Sequence, residues 1–224
     1  MTEDEWLQSD ELQLHIEYLS RTRGPVLRKL RLFSIAYCRQ VLPWIDGPQV
    51  RKALAQSEEY ADGRLTSPAL AKWRRVVEQM HLKAARRRTM RLSPAMDAAY
   101  RCVAVACWPH GRGFDQCWHW LIGDEAEPFG PTARVTGVGA AHDLLAEVFG
   151  NPFRPVAFDP AWRTATVLAI AEPAYADRAF DRLPILADAL EDAGCDADEL
   201  LAHLRGPGPH VRGCWALDLV LGKA

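Results

Sequence analysis

The feature that most constrains this chain is its punctuation: apolar residues recur three and four apart, and the runs are opened by capping residues and closed by glycine. At Ser67-Pro68, Ser93-Pro94 and Asp159-Pro160 a side-chain oxygen that can accept free backbone amides precedes a proline whose fixed φ suits the first helical turn. Thr2 and Glu5 have the spacing of a capping box ahead of Trp6 and Leu7, and Asp10 is placed to cap a second helix carrying Leu12, Ile16 and Leu19. After Gly24-Pro25, residues Leu30, Phe33, Tyr37 and Val41 define a third apolar face, with Arg28, Lys29, Arg31 and Arg39 expected on its wet side. Further helices are expected from Gln49 to the turn at Asp62-Gly63, over 69–88 and over 95–107. No segment alternates as a half-buried strand would. The expected fold is therefore all-α, an irregular multi-helix bundle of short capped helices.

Between 108 and 131 the periodicity dissolves into an irregular insertion rich in Gly, Pro and Trp, with one short helix expected near 114–121. Helical spacing resumes at 139, where Leu144, Leu145, Val148 and Phe149 lead into Gly150 as a helix stop. Asn151-Pro-Phe-Arg-Pro155 is a stiff turn. The remainder reads as short helices over 162–176 (interrupted or kinked at Pro173), 181–193, 196–205 and 209–221. Asp196 and Glu199 are spaced as a capping box, which puts Cys195 where an apolar side chain staples against Leu200. Three regions follow: 1–91 helical, 92–138 variable and partly irregular, and 139–224 helical, the outer two being candidates for one shared core.

Bulk properties exclude more than they select. A net charge of −2 and a pI near 6.4 supply no global attraction for nucleic acid or anionic lipid, so such binding needs a local patch. The Met-Thr-Glu-Asp-Glu start is acidic where a signal peptide is basic, and no apolar run approaches the roughly 18 residues of a membrane span. A cytoplasmic location without membrane contact is expected, with the six cysteines as thiols, most of them in the core.

Two groups of Cys and His could bind a metal, with zinc as the cofactor such ligands suit. One is Cys195, His203, His210 and Cys214; were a helix to start at Pro209, His210 and Cys214 would share a face, as a metal pair or a thiolate–imidazolium pair. The other is Cys107, His110, Cys117 and His119, closer in spacing to known zinc sites and set in the irregular region. Against both stands packing, since free Cys is most often a small buried hydrophobe. A basic run containing Lys83, Arg86, Arg87, Arg88 and Arg91 could follow a phosphate backbone, with Trp73 or His81 for stacking, or it is a solvated helix face. Trp108, Trp118 and Trp120 could anchor a protein interface. Phosphate loop, dinucleotide fingerprint, nucleophile elbow and metalloprotease helix are all missing, so the reading leans away from an enzyme and no catalytic residue is assigned.

Several segments together carry a resemblance: Lys29-Leu-Arg-Leu-Phe33 with Cys38-Arg39, Glu59-Tyr-Ala-Asp-Gly63, Phe149-Gly-Asn-Pro-Phe-Arg-Pro155, Arg178-Ala-Phe-Asp-Arg-Leu-Pro184, and Arg205-Gly-Pro-Gly-Pro-His-Val-Arg-Gly-Cys-Trp215. They resemble an uncharacterised family that occurs as many paralogues in planctomycete bacteria. The resemblance covers most of the chain outside 92–140 and implies no particular activity. Relatives tend to have an Ala- and Trp-rich helical middle, so a function residing in 108–131 would be particular to this chain. The leading expectation is a helical interaction or scaffold module with another protein as partner. Metal- or thiol-dependent chemistry comes second, and nucleic-acid binding third.

Overall fold

A computed structural model describes residues 1–9, 11–22, 27–40, 42–45, 47–86, 92–109 and 138–223. Among them every regular element is helical, as the spacing of apolar residues predicts. The chain divides into two compact units, Met1–His142 and Asp143–Ala224. The first contains α1 (Glu3–Gln8), α2 (Leu12–Thr22), α3 (Leu27–Gln40), α4 (Leu42–Ile45), α5 (Pro48–Ala61), α6 (Ser67–Ala85) and α7 (Pro94–Ala106). Helix α8 (Val138–Phe149) carries the division, and the second unit continues with α9 (Ala165–Asp177), α10 (Leu183–Asp192), α11 (Asp198–Arg205) and α12 (Trp215–Leu221).

The capping box of α1 is present: the Thr2 amide donates to the Glu5 carboxylate at 2.7 Å and the Glu5 amide to the Thr2 hydroxyl at 3.2 Å. Ser93 likewise caps α7 by accepting from the Met96 amide. Asp10 and the expected helix near 114–121 lie outside the described residues. In α3 the expected wet face is corrected. Residues from Leu30 to Cys38 are all buried, because α5 and α7 both pack against this helix and leave its middle no face for water.

Arg31 is the price of that arrangement. Only 3% exposed, it donates to the carbonyls of Ala106 and Trp108, both at 2.8 Å, and to that of Pro109 at 3.3 Å. These belong to the end of α7, where carbonyls lack helical partners. Ser57 adds a hydroxyl donor to Ala106, and the Tyr60 ring lies 4.8 Å from the guanidinium carbon. Burial pushes the Arg31 pKa down to about 10, which still leaves it charged at neutral pH.

In the second unit α9 packs on α10 and α12, and α11 on α10 and α12, around Val167, Ala171, Leu186, Leu190, Leu204 and Leu217. Helix α9 runs through Pro173 at the loss of a ladder hydrogen bond, since its buried stripe of Val167, Ala171 and Ala174 continues across the proline. The capping box at Asp196 is not formed. The cap position of α11 is Ala197, without a side-chain bond, because Cys195 is committed to the stop of α10: its amide bonds the Leu190 carbonyl at 2.9 Å while the Gly194 amide bonds Glu191 at 2.8 Å. Cys195 and Leu200 both belong to the buried core of this unit, but with Ala197 as the cap Cys195 stands two residues before it rather than one. The last helix begins at Trp215 rather than Pro209, so His210 precedes it and Cys214 is its cap residue.

Replacing Arg31 by Met keeps most of the packed volume but takes the side-chain donor from the Trp108 carbonyl and leaves that of Ala106 with the Ser57 hydroxyl alone. The expected loss is about 3 kcal/mol of stability in the first unit, read as a lower denaturant midpoint by circular dichroism.

Candidate metal centre

Four ligand-type side chains of the second unit converge: Glu147, His203, His210 and Cys214 each offer an atom within 4.8 Å of all the others. They come from four places in the chain. Glu147 stands near the end of α8, His203 in the last turn of α11, His210 in the connection that follows, and Cys214 at the threshold of α12. Gly208 shapes that connection. Its φ is +83°, and a Cβ there would lie 2.5 Å from the His210 backbone nitrogen, so no other residue lets the chain fold back to aim the His210 ring.

Glu147 is the hub. It is 4% exposed by side chain and accepts from the Val211 amide at 3.2 Å. His210 Nδ1 lies 3.2 Å from Oε1, and His203 Nε2 lies 3.2 Å from Oε2. His203 Nε2 is also 3.2 Å from Cys214 Sγ. The far nitrogen of His210 faces the Gly206 carbonyl at 3.1 Å, while His203 Nδ1 accepts from the Trp215 indole N–H at 3.2 Å. The two imidazoles meet edge to face with centroids 5.3 Å apart.

The electrostatics follow from this packing. Burial alone would raise the Glu147 carboxyl, but the hydrogen bonds to His203 and His210 outweigh it and hold Glu147 below its ordinary value. The hydrogen bond to Glu147 raises His210 against its burial, with the carboxylate charge and the Gly206 carbonyl adding to the rise. Burial pushes the Cys214 thiol well above its ordinary range; the Glu147 charge adds to this, and the Leu217 and Ala216 amides oppose it. Without a metal, then, the site is a buried carboxylate whose hydrogen bond favours the protonated form of His210, beside a protonated thiol. That state gives no support to a thiolate–imidazolium nucleophile. Cys214 is fully buried, and the His203 nitrogen that faces it bears a proton once Nδ1 accepts from the indole.

Of the residues expected in the C-terminal group, His203, His210 and Cys214 come together and Cys195 is not among the four. Cys195 faces the Ala197 amide instead, and burial raises its thiol. Glu147 takes the fourth place, a residue that spacing conceals: it follows exposed Asp143 by one helical turn, on the flank of α8 away from Leu144, Leu145 and Val148. In the other Cys/His group, Cys107 is fully buried with its sulfur 3.6 Å from the Ala53 carbonyl, and His110, Cys117 and His119 lie outside the described residues.

Of the basic run, Lys83 and Arg86 are exposed, and Arg87, Arg88 and Arg91 lie outside the described residues. Its stacking candidates are engaged within the fold. His81 binds Asp97 at 2.6 Å and stacks on Tyr100, and Lys52 sits over Trp73. Trp108 is half-buried beneath the Arg74 guanidinium at 4.3 Å, and Trp118 and Trp120 are outside the described residues. No described helix is long and apolar enough to cross a membrane. Comparison with protein-family models, curated proteins and solved structures finds no match to this chain.

The Glu147–His210 pair gives the metal-free chain a defined pH response. A depressed carboxylate stabilises above its ordinary value of 4.5 and loses that contribution as pH falls through its lower folded value. A raised imidazole stabilises below its ordinary value of 6.5 and loses that contribution as pH rises through its higher folded value. Thermal melts in chelator from about pH 3 to about pH 9 should therefore show the pair's contribution greatest between these values, and His210→Gln should remove the alkaline decline.

Proposed function

We propose that the second unit is a metal-binding module in which Glu147, His203, His210 and Cys214 hold one zinc-class divalent ion. The observation that carries this reading is the convergence of one sulfur, two imidazole nitrogens and one carboxylate oxygen within 4.8 Å. Bond lengths of about 2.0–2.3 Å in a tetrahedral shell put neighbouring ligand atoms about 3.3–3.7 Å apart. With Glu147 Oε2 as the oxygen, two edges of this cluster, His203 to Glu147 and His203 to Cys214, stand at 3.2 Å already, and His210 lies 3.2 Å from the other carboxylate oxygen. The mixed donor set suits zinc, which takes nitrogen, sulfur and oxygen without geometric preference of its own. His210 has the outer contact expected of a ligand, since Nε2–H donated to the Gly206 carbonyl leaves the Nδ1 lone pair toward the ion.

Four protein ligands fill a tetrahedral shell, so the ion's role in this reading is structural or regulatory, with no open position for a reacting water. It would tie the end of α8 to α11 and to the start of α12, making the unit a rigid platform for whatever the chain contacts. A cytoplasmic location belongs to the same proposal; the five cysteines among the described residues are buried thiols, as a reducing compartment allows.

Elemental analysis of purified, untagged protein tests the reading. About one zinc per chain is expected, lost in Cys214→Ala and His210→Ala and retained in Cys195→Ala. At a free zinc concentration 100-fold above Kd the metal-free unit should gain about 2.7 kcal/mol. Protein that contains no metal and whose melting does not respond to added zinc overturns the proposal.

A further inference from the structure

His203 differs from His210 in its outer contact, and the difference has chemical content. The group beside Nδ1 of His203 is the Trp215 indole N–H at 3.2 Å, which can only donate. A neutral imidazole accepting there carries its proton on Nε2, the nitrogen facing Glu147 and Cys214 at 3.2 Å. That nitrogen has no lone pair for an ion while the indole bond stands. A histidine ligand normally donates its outer N–H to an acceptor, so the arrangement at His203 is the reverse of the one at His210.

The indole is also held in place. Gly150, at φ +65°, ends α8 directly against it: a Cβ there would lie 3.1 Å from Trp215 Cγ and 3.2 Å from Cδ2. The imidazole and indole centroids are 5.0 Å apart with a 54° tilt.

Resting on the metal reading above, we infer that Trp215 gates the site: its indole N–H holds His203 in the tautomer that cannot ligate, and metal entry requires that hydrogen bond to break. On loading, the Nε2 proton of His203 moves to Nδ1 with water as carrier, which the 22% exposure of this side chain permits. Nε2 then offers its lone pair to the ion while Nδ1 carries the proton. Cys214 releases its thiol proton to solvent, as a thiolate ligand must. Trp215 is thus a positioning residue that makes the site exchangeable, while Glu147 and His210 keep it assembled when empty.

The test compares zinc affinity of the full chain and Trp215→Phe by competition with a chromophoric chelator. Phe keeps the aromatic packing and removes the donor. The variant should bind zinc about fivefold to tenfold more tightly, the equivalent of one hydrogen bond no longer broken on loading. Equal or weaker affinity in the variant, with the wild type binding zinc, overturns the inference and leaves the metal site standing. Binding by neither protein overturns both. A second measurement needs only the wild type: nitrogen-15 chemical shifts of the metal-free protein, assigned with His203→Gln, should place the His203 proton on Nε2 and move it to Nδ1 when zinc is added. A metal-free His203 protonated on Nδ1 overturns the gate even if Trp215→Phe does not fold.

Discussion

A carboxylate enclosed by the second unit is the constraint around which its C-terminal half is arranged. An isolated charge taken out of water is very unfavourable, and Glu147 is tolerable only because the Val211 amide, His203 and His210 all point at it. Those partners lie 56 to 64 positions further along the chain, and bringing them to one point requires α8, α11 and the turn through Gly208 to be in place together. The same requirement explains why half-buried His210 is shifted toward its protonated form and why Cys214, a few residues on, is kept as a thiol.

The first unit solves a comparable problem with a different group. Arg31 is a buried cation facing the carbonyls at the end of α7 that lack helical partners, so charge on one helix completes the hydrogen bonding of another. Helix ends that carry their own caps, as α1 and α7 do at their starts, need no such help. The two units therefore use buried charge for different purposes. Arg31 satisfies backbone groups that are always present, whereas Glu147 gathers side chains with donor atoms of their own, which is what makes the second arrangement capable of chemistry.

An empty site organised by hydrogen bonds and a loaded site organised by coordination make opposite demands on the same atoms. On the proposed metal reading, the atoms through which His203 and His210 meet Glu147 are the ones that would have to coordinate the ion. On that reading the hydrogen bonds to Glu147 would hold the cluster together without an ion, unlike small metal modules that have no structure without theirs.

Helix existence was legible in the residues because the apolar period and the caps are local properties: Thr2 with Glu5, Ser93, and the glycine stops at 150 and 194 act within a single turn of chain. Three of the four clustered side chains were legible for the same kind of reason, since Cys and His among helix stops are few enough to single out. Glu147 was not, because its place on α8 is that of a solvated residue until α11 and the connection after it cover that flank. Arg31 was misplaced on the wet side of α3 because one helix's pattern does not report how many neighbours surround it. The start of the last helix moved from Pro209 to Trp215 because the chain between them folds back to the carboxylate. Local chemistry in the sequence determined which segments are helices and where most of them stop. Which charges are buried, and which side chains meet, was decided only by tertiary packing, because burial and convergence depend on residues far apart in the chain.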